Sequence, residues 1–363
     1  MKSRYTISMM IWIDGRSATA AQKTGKGQWT LRLIEHLLPH IPLVVCIADG
    51  EIPSQWKSYE NCIRRFPSGV MWHCSVAKAL PRKDAIYISP TSFLVPLIVG
   101  TSIPCIPIIH DLIAFRPEPH EWKAKLIERC TLPRVLRCAR HILVLSSSTR
   151  SDLLARFSRE IGTTPMTTVY SGPLEDAPRS TEDDGRTILC PATLCPRKNQ
   201  LRLIRAYAAL PKDVREQYRL LLIGARGWHD GEILKAMQST PGVEWKGYVS
   251  DREYARILHT ASILAYPSLY EGFGLPVLDA MQRGIPVFTS SRGSLSEVAG
   301  NSALLIDPEN IEDMTRGLLQ LTTDDATRKR LRASGPVQAA QFSWERTANL
   351  VLSALQSIQR TIS

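Results

Sequence analysis

The sequence predicts an α/β protein built from two doubly wound parallel-sheet domains. Three observations support this prediction: short apolar runs alternate with amphipathic segments, this alternation occurs twice, and a polar segment separates the two halves. A length of 363 residues suits two domains of roughly 150–200 residues. The composition, 44% hydrophobic and 22% charged, is that of a folded globular chain and excludes a disordered one.

The first half, residues 1–170, is predicted to form one of the two domains. Its strand-like apolar runs are Tyr5–Ile13, Pro42–Ala48, Ala85–Ile88, Cys105–Ile109 and His141–Leu145. Between the first two runs, Trp29–Leu38 has apolar residues at helical spacing.

The second half repeats this pattern over residues 186–342. Its strand-like runs are Thr187–Cys190, Leu220–Ile223, Val243–Trp245, Ile263–Tyr266 and Pro286–Thr289, and its helical segments are Leu201–Leu210, Glu253–Leu258 and Pro276–Arg283. The segment 171–185 is polar, aperiodic and rich in Pro, Gly and acids, so it is predicted to be the linker. A final amphipathic helix is predicted over 343–363, with Ser343 as its N-cap.

The net charge of +11 belongs almost entirely to the first half. Residues 1–170 hold 22 Lys and Arg against 12 Asp and Glu, whereas residues 171–363 hold 23 against 22. A nucleic acid, an anionic membrane, an acidic substrate or simple solvation would each accommodate a basic half. No aromatic-interleaved basic segment indicates a nucleic-acid partner. The expected location is the cytoplasm, and the basic half adds the hypothesis of peripheral binding to the inner face of the membrane.

Eight scattered cysteines without a CxxC pair favour reduced thiols in a reducing compartment over disulfides or a zinc site. No apolar run reaches the length of about 18 residues that a membrane span needs.

The most informative segment is PSLYEGFGLPVLDAMQRG, residues 267–284, which follows a strand-like run. Gly272 and Gly274 permit a tight loop, and Pro276 suits the start of a helix. A glycine loop that opens a helix at the carboxyl end of a strand is typical of an anion site. The nearby Glu271 and Asp279 indicate that the ligand also presents hydroxyl groups, as a nucleotide sugar does. The alternative is a structural turn with Asp279 on a helix surface.

The second segment is CPATLCPRKN, residues 190–199, which also follows a strand-like run. Arg197 and Lys198 precede Asn199, a candidate N-cap, and fixed positive charge at a helix N-terminus favours a diphosphate. The alternative is a solvated basic loop.

A third candidate site lies in the first half, where His110 follows the run Cys105–Ile109. A single histidine is often structural, but its strand-end position also fits a residue that contacts the transferred group. Gly25 and Gly27 form only a GxG, so a dinucleotide fingerprint is incomplete. No D-x-D, P-loop, GxSxG or HExxH motif is present, and neither a metal nor another cofactor is expected.

Several motifs resemble the retaining glycosyltransferases of family 4, which have the GT-B fold of two Rossmann-like domains facing across a cleft. In the second half they are PSLYEGFGLPVLDAM, CPRKNQLRLIRAYAAL, LLIGARGW, KGYVSDREYARILHTASILAYPS and SRGSLSEVAGNSALLIDP. In the first half they are IDGRSATAAQKTGKGQWTLRLIEHL, IIHDLIAFRPE and ILVLSSSTRSDL. FSWERTANLVL is similar to the family's closing helix, which the resemblance implies crosses back onto the first domain. The loop sequence looks most like bacterial polysaccharide mannosyltransferases.

The resemblance implies a role for each matched residue. Arg197 and Lys198 would bind the donor diphosphate, and Glu271 would contact hydroxyls of the transferred sugar. The residues that follow would approach sugar and phosphate: Gly272, Phe273, Gly274 and Leu275.

Four further positions complete the implied donor site. Gly247 and Tyr248 would lie near the base, while His110 and Gly27 would face the donor from the first domain. Asp279 occupies the position of the second acid in the family's E-x7-E pattern and would bind the ribose, with a side chain one bond shorter than the usual Glu.

The implied reaction is a metal-independent, retaining transfer from a nucleotide-diphosphate sugar to a glycan or lipid-linked acceptor. GDP-mannose is the favoured donor and a UDP-sugar the alternative. A non-catalytic protein that binds nucleotide sugars is the competing hypothesis.

Overall fold

The computed structural model describes residues 7–69, 71–117, 121–174, 180 and 183–362. The described residues divide into two compact units. The first lies within Met1–Phe115, Trp122–Leu174 and Ser343–Ser363, and the second within Arg116–Glu121 and Glu175–Phe342. The chain thus passes between the units inside the predicted linker, of which residues 175–179 and 181–182 lie outside the described residues.

The first unit contains a seven-stranded parallel sheet with the order β3-β2-β1-β4-β5-β6-β7. Its strands are β1 (Met10–Asp14), β2 (Leu43–Ile47), β3 (Ile63–Arg65), β4 (Ala85–Ser89), β5 (Cys105–Ile109), β6 (Ile142–Val144) and β7 (Met166–Thr168). Its helices are α1 (Gly25–Leu37), α2 (Met71–Ala79), α3 (Leu94–Val99), α4 (Trp122–Cys138) and α5 (Ser147–Ile161).

The second unit contains a six-stranded parallel sheet with the order β10-β9-β8-β11-β12-β13. Its strands are β8 (Thr187–Pro191), β9 (Arg219–Ile223), β10 (Val243–Trp245), β11 (Ile263–Tyr266), β12 (Val287–Ser290) and β13 (Leu304–Ile306). Its helices are α6 (Gln200–Ala208), α7 (Lys212–Gln217), α8 (Gly231–Ser239), α9 (Asp251–Thr260), α10 (Leu275–Gln282), α11 (Ser294–Ala299), α12 (Ile311–Thr323) and α13 (Asp325–Ala339).

The last helix, α14 (Trp344–Ile362), belongs to the first unit. Its Trp344 ring packs edge-on against Trp29 of α1, with centroids 5.9 Å apart, and the indole N–H donates to the Pro173 carbonyl at 2.6 Å. Ser343 accepts from the Arg346 amide at 3.2 Å, as its predicted capping role requires.

The prediction of two Rossmann-like parallel sheets is confirmed. All ten predicted strands form, although the first begins at Met10 and not at Tyr5, and Tyr5 and Thr6 lie outside the described residues. Three strands were not predicted: β3, β7 and β13. Each has only three residues. No residue of β3 or β7 is buried, so both lack the continuous apolar run by which a buried strand is identified, whereas β13 is apolar but buries only Ile306.

Helix α1 begins at Gly25, four residues before the predicted start. The Thr24 hydroxyl accepts from the Gly27 amide at 3.4 Å, so a polar cap rather than the first apolar residue sets the helix start. The eight cysteines, all within the described residues, form no disulfide, and Cys46, Cys105, Cys190 and Cys195 are buried. No helix in the described ranges is long and apolar enough to cross a membrane.

Candidate donor site

The candidate site of the second unit lies at the carboxyl edge of its sheet. A single turn of 3-10 helix, Pro196–Lys198, comes soon after β8, and the loop 267–274 comes directly after β11. These strands are neighbours in the parallel sheet, so both segments leave it at the same edge. The Leu269 amide donates to the Arg197 carbonyl at 2.9 Å and thereby joins the two segments.

Three predicted residues meet at this junction around one carboxylate oxygen. Lys198 Nζ lies 2.5 Å from Glu271 Oε1, and Arg197 Nη1 lies 3.1 Å from the same oxygen. Arg197 Nη1 also donates to the Tyr270 carbonyl at 2.8 Å. The three side chains are only 11–17% exposed, so the cluster is largely shielded from solvent and carries one excess positive charge.

Tyr266, the last residue of β11, completes this cluster. Lys198 Nζ donates to its hydroxyl at 2.6 Å, and the hydroxyl lies 3.3 Å from Glu271 Oε1. Burial raises the pKa of Tyr266 well above its usual value, so the phenol remains protonated and can donate to the carboxylate. Tyr266 was not among the predicted site residues, although a tyrosine at the carboxyl end of a buried strand is a usable signal.

Burial and charge act in opposite directions on Glu271. Burial alone would raise its pKa, but the positive charges of Arg197 and Lys198 outweigh that effect and leave the pKa of Glu271 below its ordinary value. Burial lowers the pKa of Lys198, and the charge of Glu271 offsets only part of that shift. Glu271 is therefore held as a carboxylate, which can accept hydrogen bonds from hydroxyl groups and is unsuited to donate a proton.

Asn199 occupies the predicted N-cap position before α6 but does not cap the helix with its side chain. Its backbone is left-handed, with φ of 63°, and its side-chain amide donates to the Pro267 carbonyl at 3.1 Å and the Pro308 carbonyl at 2.6 Å. The residue therefore holds together the loops that follow β8, β11 and β13. The prediction of side-chain capping was wrong, because these long-range acceptors are not visible in local sequence.

The glycine loop places Gly274 at the N-cap of α10 with φ of 109°. A Cβ atom there would lie 2.6 Å from Leu295 Cδ2, so both backbone conformation and space favour glycine. The Glu271 carbonyl accepts from the Ser294 hydroxyl at 2.7 Å, which anchors the loop to α11.

The neighbouring predicted residues differ in burial. Gly272 and Leu275 are partly buried, and Phe273 is buried against Phe342, with ring centroids 5.7 Å apart. Asp279 is completely buried on α10. The alternative in which it is a surface residue is therefore wrong.

Gly247 and Tyr248 follow β10, which ends at the same edge of the sheet. Gly247 has φ of 73° and its carbonyl accepts from the Gly224 amide at 2.8 Å. A Cβ atom at Gly247 would meet nothing within 4 Å, and Tyr248 is 45% exposed. This part of the edge is thus open, unlike the cluster around Glu271.

His110 and Gly27 belong to the first unit. His110 Nε2 lies 2.8 Å from the Pro90 carbonyl, which can only accept, so Nε2 carries the ring proton and Nδ1 is left as an acceptor. Burial, with a contribution from the Lys26 charge, lowers the pKa of His110 to about 3, and the ring is neutral near pH 7. Gly27 allows close packing, since a Cβ atom there would lie 2.5 Å from the Ser17 carbonyl oxygen.

Comparison with known proteins identifies the family. A family model described as glycosyl transferases group 1 matches residues 174–338. O-antigen chain mannosyltransferase B of Escherichia coli is 32% identical over 289 residues, covering 75% of this chain and 74% of that protein. The chain belongs to the group 1 glycosyl transferases.

A further sequence relative agrees with this assignment, and two solved structures share the fold. Serotype-specific mannosyltransferase WbdA of Escherichia coli is 32% identical over 183 residues, which are 48% of this chain but 22% of WbdA. Among solved structures, sucrose-phosphate synthase from Thermosynechococcus elongatus has a TM-score of 0.77 at 18% identity, covering 98% of this chain and 100% of that one. Anabaena Alr3699/HepE, solved with UDP and glucose, has a TM-score of 0.75 at 15% identity, covering 96% and 100%.

These findings confirm the predicted resemblance to GT-B glycosyltransferases of the mannosyltransferase type. The chain is a glycosyltransferase, and the relative that it matches over 75% of its length is named as an O-antigen chain mannosyltransferase. The family number, the stereochemistry and the roles of individual residues stay predictions. Within the described residues, no group of three or more His, Cys, Asp or Glu side chains is arranged to hold a metal ion.

Proposed function

We propose that this protein transfers a mannosyl group, with retention at the anomeric carbon, from a nucleotide-diphosphate sugar to a glycan or lipid-linked acceptor. The observation that carries the proposal is the buried cluster of Arg197, Lys198 and Glu271 at the carboxyl edge of the second sheet. The names of the relatives favour mannose as the transferred sugar. GDP-mannose is the preferred donor, and a UDP-sugar is the alternative.

The charge of the cluster fits the leaving group of this reaction. The bond between the anomeric carbon and the diphosphate oxygen breaks, and the diphosphate gains negative charge. Arg197 and Lys198 both contact Glu271, and the excess positive charge of these three side chains favours that anion. Glu271, held ionised, would accept hydrogen bonds from sugar hydroxyls that reach this cluster.

Same-face displacement is the proposed chemistry. The acceptor oxygen bonds to the anomeric carbon on the face that the diphosphate leaves, and the acceptor proton passes to the departing phosphate oxygen. His110 would contribute its Nδ1 as a hydrogen-bond acceptor toward the transferred sugar, since its ring is neutral. Asp279 would bind the ribose and Tyr248 would lie near the base. No step in this scheme requires a metal ion.

The function is tested by incubating the purified protein with GDP-mannose, UDP-glucose and lipid-linked or glycan acceptors and detecting the product by mass spectrometry. We expect transfer from one donor, an α-linked product from an α-linked donor by NMR, and full activity after EDTA treatment. Lys198→Ala and Glu271→Ala should each lose most turnover, with circular dichroism used to check that the protein is folded.

Three outcomes would contradict this function or part of it. Unchanged turnover in both variants would refute the assigned site, and loss of activity on chelation would refute the metal-independent scheme. Nucleotide binding by calorimetry without transfer to any acceptor would favour the non-catalytic alternative.

A further inference from the structure

The first unit exposes an unusual apolar face on helix α4. The residues that α4 buries all lie in its second half: Thr131, Leu132, Val135 and Leu136. In its first nine residues no side chain is buried, and three large apolar side chains face solvent: Trp122 at 67% exposure, Leu126 at 55% and Ile127 at 51%. Single exposed apolar residues are ordinary, but three within the first two turns of one helix mark an interaction surface.

Helical geometry collects these side chains on one face, which we call the outer face of α4. At 100° per residue, Trp122, Leu126 and Cys130 follow one stripe, with Lys123 and Ile127 directly beside it. The same face continues into the second half as Arg134 and Arg137, which are exposed. The outer face therefore has an apolar end and a basic end.

The charge of α4 is strongly one-sided. Its sequence contains five basic residues and one acidic residue, Glu128, within a half of the chain that has 22 basic and 12 acidic residues. Glu128 projects opposite Trp122 and Leu126 by the same geometry, so it does not neutralise the outer face. Arg137 is paired with Glu160 at 3.1 Å, whereas the Arg134 guanidinium donates to the Cys130 carbonyl of its own helix at 2.6 Å.

We propose that the outer face of α4 docks the protein onto an anionic lipid bilayer. Trp and Leu side chains partition to the membrane interface, and adjacent basic residues attract acidic headgroups. The alternative occupant, a second copy of this chain, would bring Lys123 and Arg134 of two molecules together, which is electrostatically unfavourable. A bilayer satisfies the apolar and the basic parts of the face at once.

Membrane docking by α4 does not depend on sugar transfer, and it is tested by vesicle binding without an enzymatic assay. The full-length protein is sedimented with vesicles of phosphatidylcholine containing 30% phosphatidylglycerol and with vesicles of phosphatidylcholine alone, at low and high salt. We expect binding to the anionic vesicles and at least tenfold weaker binding to neutral ones, because each basic residue at an anionic surface contributes roughly fivefold. High salt should weaken the anionic binding.

Two double variants separate the apolar and basic contributions. Leu126→Gln with Ile127→Gln should reduce binding to anionic vesicles at least tenfold, and Lys123→Gln with Arg134→Gln should reduce it by a similar factor and weaken its salt dependence. The matched control is Leu154→Gln with Arg159→Gln on α5, where Leu154 is 40% exposed. This control should bind as the unaltered protein does, and thermal melting should show all three variants folded.

The proposal is overturned if the unaltered protein does not bind anionic vesicles, or if the α4 variants bind as well as the α5 control. It is also overturned if the unaltered protein does not bind vesicles but forms a concentration-dependent dimer, detected by light scattering, that the α4 variants abolish.

Discussion

In the buried cluster around Glu271, removal of the negative charge and removal of a positive charge should lower the free energy of unfolding by unequal amounts. Glu271→Gln removes a carboxylate that both Lys198 and Arg197 contact, at 2.5 and 3.1 Å, and leaves these two largely shielded cations close together. Removing one partner of a buried ion pair costs about 3–5 kcal/mol. Because the side chains keep 11–17% exposure to solvent, we expect the lower end, about 3 kcal/mol.

Removing the charge of Lys198 should lower the free energy of unfolding much less than removing that of Glu271. In Lys198→Met, Glu271 keeps Arg197 at 3.1 Å, so the carboxylate remains neutralised, and an ammonium group whose pKa is lowered by burial is gone. We expect a loss of about 1 kcal/mol or less. The double variant should be less destabilised than the sum of the two single variants, with a coupling of about 1–2 kcal/mol.

Thermal and urea denaturation of the four proteins measures these differences. For a unit of this size a loss of 3 kcal/mol lowers the Tm by about 6–12 °C. Glu253→Gln is the control, because it breaks an exposed ion pair with Arg256 in the same unit and should cost less than about 1 kcal/mol. A Glu271→Gln variant as stable as this control, or strictly additive effects in the double variant, would show that the Glu271 carboxylate does not hold the two cations together.

Three further predictions concern other site residues. Gly27→Ala should lower the Tm of the first unit by several degrees, because the added Cβ would lie 2.5 Å from a backbone oxygen. Gly25→Ala is the control and should not lower the Tm, since its Cβ would meet nothing within 4 Å. Equal Tm values for the two variants would contradict the packing role of Gly27. Because the pKa of His110 is lowered, the stability from its neutral ring is present above pH 6.5 and is lost as the pH falls toward about 3. In His110→Gln, the free energy of unfolding measured with urea should therefore change less steeply with pH, by up to about 1.4 kcal/mol per pH unit. An unchanged slope would count against a buried neutral ring. Asp279→Glu should lower the Tm, since an added methylene at a completely buried position costs about 1–3 kcal/mol, and a stability equal to that of the unaltered protein would mean that α10 has room for the longer acid.

The fold could be predicted well from the sequence because buried parallel strands consist of continuous runs of apolar residues. Strands such as β8 and β11 are buried along their whole length, so their runs are continuous and their positions were correct. The short strands β3 and β7 escaped prediction because hydrogen bonding to a neighbouring strand, and not burial of their own side chains, defines them.

Site residues could be predicted only where their position relative to a neighbouring strand places them at the edge of the sheet. Arg197, Lys198 and Glu271 were expected near one another because their segments leave neighbouring strands at one edge, and the structure brings them together. The long-range hydrogen bonds of Asn199 to Pro267 and Pro308 depend on three segments far apart in the chain, which no local pattern encodes.

The position of α14 has a consequence for synthesis of the protein. Trp344 and Thr347 contribute to the first unit, where the Thr347 hydroxyl donates to the Tyr170 carbonyl at 2.5 Å, but the ribosome translates them after the whole second sheet. Since domains fold as units while the chain emerges, the six-stranded sheet can complete its core while Trp29 still lacks its partner Trp344. We expect nascent chains stalled soon after Phe342 emerges to be protease-resistant over residues 183–342 and cleavable in the first unit, and the opposite pattern would show that α14 is dispensable for closing that unit.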